Sequence, residues 1–585
     1  MGDPAIGPRD TTQNDFEFQD SVAHVTGRHN IKFGGLFGPT QVNSNQGHYA
    51  NGAFNFTNSP ANDSFANFLM GRPSTFTQAG GDFYRGLRSW DLALYAQDEW
   101  RATRNLTVNY GLRYEINTPF REINNKLNAF APGRQSQVVP NAPSGILYPG
   151  DEGVPDTIAP VYYGGLMPRA GLAWDPDGSG RWVIRTGYGI FYDTLLNGVG
   201  GPLRVATQSL PWVTIRQVTG NQIDFEQPLG APSFPTGVFT APASLFTIAN
   251  GLQPPYAQDW NFSVQRTVGK EVIELRYVGT KGTRLPRFVE ANPAVYSPGA
   301  TAANANRRRI FAACTSPSQP CALGYAALVT GSTSSTYQSA QAGISRRFSN
   351  GVAYSASYTF AKALDYVSSL HIAGPAPILI SGEMDLAQNP FDLRAEHGPS
   401  LFDARHRLVA NGIYEAPGFQ SSPRFVRAVL GGWQLNGIFT LSSPTPFTVY
   451  DSRNVSPQAP IPPVAGTFAS RPDMVSSCAD GPHTPRQWIS APSFHRLNAV
   501  TQAGQFGNEG RNACRGAGVI NLDLSLVRTF KLTEGIGLQF RAESFNVMNH
   551  PNFGLPVNDL VSPNFGRVLE SGQPRLFQFG LKLLF

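Results

Sequence analysis

Four cysteines are the first residues whose type and spacing could do chemistry. Cys314 and Cys321 stand close together, Cys478 and Cys514 further apart, and each pair sits in Pro/Gly/Ser-rich surroundings. Neither pair has the spacing of a zinc knuckle. An even, sparse set inside loop-like sequence predicts local disulfides, Cys314–Cys321 and Cys478–Cys514, formed outside the cytoplasm. Four free thiols are the plainer alternative. The nine histidines are dispersed, and no His-x-x-x-His or His-x-x-Glu-His spacing supports a metal site. The run from Asp175 to Gly180 has the acidic start of a calcium loop but lacks the downstream ligands, and it falls where a tight turn is needed. Gly507, Gly510, Gly516 and Gly518 do not follow the dinucleotide pattern, and there is no Gly-x-Ser-x-Gly elbow. No nucleophile, base and orienting group can be assembled, so no enzyme, cofactor or metal is expected.

A second set of charged residues is placed by strand periodicity. Strands put alternate side chains on opposite faces. In the segment 106–115, Leu106, Val108, Tyr110, Leu112 and Tyr114 share one face, with Arg113 and Glu115 on the other. Ile273, Leu275 and Tyr277 likewise oppose Glu274 and Arg276. Ile520, Leu522 and Leu524 oppose Asp523, while Leu538, Phe540 and Ala542 oppose Arg541 and Glu543. Such residues could line a lumen and hydrogen-bond a polar solute, or simply pair with one another inside a barrel.

Composition limits where such strands can live. Gly 60 and Pro 47 make up about 18% of the 585 residues, against a usual share of about 12%. Charged residues are 15% where about 25% is typical of soluble chains, and aromatics are 11%. That many aromatics excludes simple disorder. No run of 18 apolar residues exists, so no transmembrane helix can be read. The net charge of +6 is mild, and basic residues are scattered apart from Arg307-Arg308-Arg309, which gives no stripe for a nucleic acid. A secreted β-fold or an outer-membrane barrel remains.

Three features favour the barrel. The alternating segments often run about 10 to 14 residues, longer than the roughly 5–6 of globular strands. Aromatics cluster towards strand ends at Trp90, Trp100, Trp182, Tyr192, Trp260 and Trp433, which suits an interfacial girdle. Short turns at 101–105, 176–180, 269–271, 349–351 and 532–535, with a medium one at 417–429, alternate with long loops. The loops lie at 117–165, 194–255, 283–334, 367–403, 444–517 and 550–572. Short turns on one side and long loops on the other are the mark of outer-membrane barrels. The segment 63–70 reads as one short amphipathic helix.

The C-terminus carries Phe577, Phe579, Leu581, Leu583 and Phe585 on one face, and it resembles the signal read by the barrel-assembly machinery. Further stretches bear a family resemblance. They are Gly27-Arg28-His29-Asn30-Ile31-Lys32-Phe33-Gly34-Gly35, Leu94-Tyr95-Ala96-Gln97-Asp98-Glu99-Trp100, and Tyr110-Gly111-Leu112-Arg113-Tyr114-Glu115. Later come Phe402-Asp403-Ala404-Arg405-His406-Arg407, Phe506-Gly507-Asn508-Glu509-Gly510-Arg511-Asn512 and the run from Phe540 to Pro551. In this order they resemble the barrel of TonB-dependent receptors, particularly the Oar-like group of Acidobacteria and relatives.

The resemblance implies a signal peptide, a plug and a TonB box ahead of a 22-stranded barrel. None is read after Met1-Gly2-Asp3-Pro4, which has neither a basic nor an apolar leader region. The expectation is an all-β, antiparallel transmembrane barrel over 15–585, about 15 strands of that number, behind a disordered or truncated start at 1–14. The expected function is TonB-driven uptake of a bulky nutrient, an oligosaccharide or a metal chelate, across the outer membrane of a Gram-negative cell. Its implied partners are outer-membrane lipid, the assembly machinery and, through a plug, the TonB complex. A surface adhesion or structural barrel is the alternative.

Overall fold

The computed structural model describes residues 9–47, 49–56, 64–193, 209–219, 223–229, 234, 236–295, 304–312, 314, 320–368, 387–418, 421, 423–451, 470–498, 502 and 505–585. Strands dominate them. Helix is confined to short pieces such as Ser64–Leu69 and Arg424–Leu430. The first falls on the amphipathic segment expected at 63–70, of which residue 63 lies outside the described residues. No helix among the described residues is long and apolar enough to cross a membrane.

The main sheet is a long antiparallel meander. Its strands are β1 (Phe18–Thr26), β2 (His29–Gln46), β3 (Tyr84–Trp100), β4 (Leu106–Asn117) and β5 (Leu166–Trp174). There follow β6 (Trp182–Tyr192), β7 (Tyr256–Val268), β8 (Glu271–Glu290), β9 (Leu323–Ser349) and β10 (Val352–Asp365). The last are β11 (His406–Glu415), β12 (Trp433–Ser442), β13 (Val519–Lys531), β14 (Gly537–Phe545) and β15 (Leu576–Leu584). Each pairs with its predecessor in chain order. Among the described residues no ladder joins β15 to β1.

Local chemistry explains the tight turns. Between β9 and β10 the chain reverses over Asn350 (φ 54°) and Gly351 (φ 75°). Both central residues of this two-residue turn need positive φ, which Asn-Gly supplies at least cost and which matches strand twist. The acidic run after β5 is also a turn: Asp175 Oδ2 accepts from the Gly180 N–H at 2.8 Å and Asp177 Oδ1 from the Ser179 N–H at 3.1 Å. Each aspartate thus gives one carboxylate oxygen to the turn's own backbone, and Asp177 also pairs with Arg181.

Two boundaries differ from expectation. Residues 9–15, placed ahead of the first strand by sequence, form a strand against Thr40–Gln46, because β2 runs eight residues beyond Gly38 and offers a ladder. Residues 1–8 lie outside the described residues. The loop expected at 283–334 is hairpin at both of its ends: β8 continues to Glu290 and β9 starts at Leu323, with Val289 opposite Leu328. The pairing is non-local, and the Ser/Thr/Gly-rich run at 330–336 hides it. A parallel strand, Ala243–Ile248, adds to β9 here, the exception to an otherwise antiparallel sheet.

The buried apolar clusters lie at the long-loop end, in the loops and in the extensions of β8 and β9. One cluster joins Tyr49, Val213, Phe246, Phe288, Tyr325 and Val329, with a second around Ile146, Tyr148, Leu245 and Leu323. A third gathers Phe447, Val449, Trp488, Ile489, Phe494 and Leu560. Fully burying each such side chain stabilises by roughly 1.5–3 kcal/mol. The described parts of the long loops are therefore folded bodies. The structure closes them with disulfides Cys314–Cys321 and Cys478–Cys514.

In the sheet itself the apolar face is the open one. Leu275 is 59% exposed, Phe262 48% and Leu581 72%. Directly opposed residues share a face, so Leu275, Phe262, Tyr188 and Tyr110 form one outward surface across β8 to β4.

Candidate functional site

The opposite, polar face holds every charged residue singled out from the strands. Arg113 Nε donates to Glu115 Oε2 at 2.9 Å, and Arg276 Nη2 to Glu274 Oε1 at 2.8 Å, each along its own strand. Arg541 Nε donates to Gln539 at 2.8 Å, on the same face as Glu543. Asp523 accepts from the Asn546 N–H at 2.8 Å. The structure thus brings these residues to one face without gathering them into a constellation. Over β1–β5 this face forms an open groove of about 780 Å³ lined by Lys32, Gln97, Glu99, Asn109, Arg113 and Arg169. It can hydrogen-bond a polar surface at many points. Among the described residues no group of His, Cys, Asp and Glu is arranged to hold a metal ion.

A second constellation lies apart from the groove, at the end of β8 and β10 that carries the long loops, and periodicity gave no sign of it. Glu396 is buried at the end of a short 3-10 turn, Leu393–Glu396, whose start is capped by Asp392. Its carboxylate meets Arg471 at 3.0 Å and Arg287 at 3.5 Å and accepts from the Gln388 N–H at 3.0 Å. Burial alone would push this carboxyl up. The charges of Arg471 and Arg287 outweigh it and hold the group below the usual carboxylate range. Arg511 pairs with Asp365 and donates to the Glu396 carbonyl at 2.8 Å, and Arg515 pairs with Asp403. Glu509 accepts from the Val449 N–H at 2.9 Å, but complete burial pushes it up to about 8.

The Phe402–Arg407 and Phe506–Asn512 motifs, far apart in sequence, thus each contribute to one buried polar knot, Asp403 from the first and Glu509 and Arg511 from the second, which ties the third apolar cluster to β8 and β10. Its signal in the sequence was charge set among Gly and Asn within loops. A buried ion pair of this kind fixes geometry more than it adds stability.

The outward face is organised in bands. At the short-turn end, His29 stacks on Trp100, Arg266 lies 4.7 Å over Trp182, and Arg528 5.4 Å over Trp433. Ten residues further along the strands stand Trp90, Tyr192 and Tyr256. Trp260, expected near a strand end, instead lies inside the band, its indole over Gly279, where any Cβ would collide with the ring. Ten residues of strand are about 33 Å, and at the roughly 40° tilt of membrane barrels this gives a band about 25 Å tall. That is the height of a lipid-facing belt between two aromatic girdles.

A family model described as an outer membrane beta barrel domain matches residues 1–578. The chain belongs to this family of outer-membrane β-barrels. Among solved structures, it is similar to the outer membrane transporter YddB from Escherichia coli, at 11% identity and a TM-score of 0.50, covering 98% of this chain and 55% of that one. It also resembles the ferripyoverdine receptor of Pseudomonas aeruginosa, at 11% identity and a TM-score of 0.44, covering 98% and 48%. A further likeness is to the siderophore receptor PirA from Acinetobacter baumannii, at 8% identity and 0.44, covering 98% and 55%. The chain spans about half the length of these structures. No curated protein matches it. At such identities the likeness concerns the fold.

Proposed function

We propose that this outer-membrane chain is the barrel of an Oar-like TonB-dependent receptor that takes up a bulky nutrient, an oligosaccharide or a metal chelate. In this reading the long-loop end faces the exterior, the polar face lines the lumen, and TonB acts through a plug seated there. The carrying observation is the division of labour along the sheet. One end has tight turns, the middle has a belt with a polar reverse face, and the other end has folded, disulfide-closed bodies. Folded loops above a polar lumen suit capture of a solute too large to diffuse.

Orientation is tested by tags. An epitope inserted near Ser144 should be reached by antibody on intact cells, whereas one at Ser179 or Asn350 should not. Equal labelling would end the reading. Ser316 and Ser456, natural choices from sequence, lie outside the described residues. Uptake is tested by expressing the protein in cells with and without TonB and following labelled oligosaccharides and ferric chelates; accumulation that needs TonB supports transport. The apolar-cored loop bodies favour one second reading, surface adhesion, in which cell attachment persists without TonB and no solute accumulates.

A further inference from the structure

Three cations lie on the outward, lipid-facing side at the long-loop end of the belt. Lys281 of β8 is opposite Gln258, two residues along from Trp260 on the same face. Lys362 of β10 is opposite Gln338, which is opposite Gly279, the partner of Trp260, and it lies three residues before its strand ends. Arg284 stands three residues further along β8 than Lys281, at a register shift and with φ 56°. That left-handed backbone, rare outside Gly and Asn, turns the guanidinium out of the ladder. It lies over the rings of Tyr256 at 4.8 Å, Tyr162 at 5.2 Å and Tyr192 at 5.9 Å, and donates to Gln253. Among the described residues, no carboxylate forms an ion pair with Lys281, Arg284 or Lys362. Other arginines of this end are neutralised, as Arg511 is by Asp365 and Arg515 by Asp403.

Beside Arg284 opens a cleft of about 590 Å³. Its lining includes Thr283, Ser332, Thr333 and Ser334, with Phe391 standing exposed across from them. Arg394 and Asp392, paired at 2.9 Å, form its far lip. Hydroxyls beside an exposed ring suit a saccharide, whose hydroxyls need hydrogen bonds and whose C–H faces pack on aromatics. Unneutralised cations suit phosphate. Both lie flush with the top of the apolar belt, where lipid headgroups sit.

We propose that this outward rim binds the phosphorylated saccharide headgroup of a glycolipid of the surrounding leaflet. Lys281, Arg284 and Lys362 hold its phosphates and the hydroxyl-lined cleft holds its sugar. The inference rests on the membrane reading of the belt but not on transport.

The test places the full chain in phosphatidylcholine nanodiscs with or without a minor fraction of diphosphorylated lipid A, and counts lipid A retained per chain by native mass spectrometry. Retention is expected, falling about fivefold for each of K281Q, R284Q and K362Q. The R266Q variant, which alters the girdle at the other end, should retain lipid A fully. Phe391→Ala, which leaves every charge in place, should also weaken retention. Retention that is equal in wild type, R284Q and K362Q would overturn the proposal. Glucose 1-phosphate should not displace the lipid; full displacement would assign the site to a soluble sugar phosphate and overturn the lipid source. A chain that does not enter the nanodisc would overturn the membrane reading and this inference together, whereas an inserted chain without retention overturns only the latter.

Discussion

Arg511 and Asp365 form a buried ion pair across 146 positions of sequence, and the same guanidinium also donates to the Asp365 carbonyl at 2.7 Å. One side chain thereby fastens the folded loop before β13 to the end of β10. Removing one partner leaves the other charge buried without its counter-ion, which costs about 3–5 kcal/mol. Arg511→Ala should therefore release the loop body while leaving the strands paired. The readout is limited trypsin digestion along a urea series. Cleavage within 470–498 should appear at distinctly lower urea than in the wild type, and an unchanged midpoint would show that the pair does not hold the body in place.

The disulfide between Cys478 and Cys514 closes the same body from within. Closing a loop of that length contributes about 2–4 kcal/mol. Cys478→Ser should sensitise the segment to trypsin without altering the Cys314–Cys321 link. Peptide mass spectrometry under non-reducing conditions checks the pairing directly. Four free thiols in protein taken from the outer membrane would refute it.

Legibility in the sequence followed the range of the interactions. Alternation along Leu106–Tyr114 or Ile273–Tyr277 depends on neighbours two residues apart, so the strands, the outward face and the tight turns could be read. The Asn350-Gly351 turn was visible for the same reason. The extension of β8 and β9 was not, because Thr283 to Glu290 finds its partners among residues 327–334 only in three dimensions. The polar knot escaped altogether: Glu396 gains its meaning from Arg287 and Arg471, and no spacing rule connects those three. Arg284 was hidden because it sits at a register shift, where the period that places Lys281 does not apply.

Two buried glutamates set opposite pH trends for the loop body. Burial holds Glu509 at about 8, well above its ordinary 4.5. Between those values the folded state keeps a proton that the unfolded chain has lost, so stability should fall as pH rises through this window. Glu396 is held below its ordinary value, so its contribution is full above about 4.5 and is lost as pH falls through the lowered value. Trypsin resistance of residues 470–498 should thus weaken from about pH 5 to about pH 8. Glu509→Gln should flatten that slope. A wild-type slope that persists in this variant would assign the trend to another group.

The belt makes the most direct demand on the membrane reading, because its two faces predict opposite tolerances at adjacent positions. Leu275 points outwards and is 59% exposed, while its neighbours Glu274 and Arg276 pair on the polar face at 2.8 Å. A cation at mid-belt facing lipid costs about 2–4 kcal/mol, whereas lumen positions accept polar changes. Leu275→Arg should therefore lower the urea midpoint for folding into phosphatidylcholine vesicles sharply. Glu274→Gln should shift it by less than about 1 kcal/mol, since an exposed ion pair contributes little. A soluble sheet would give another pattern: Leu275→Arg would be harmless, because an exposed leucine in water gains nothing from being apolar. Tolerance of the arginine at position 275 would thus count against the lipid-facing assignment of the whole outward surface, and with it against the headgroup site at its rim.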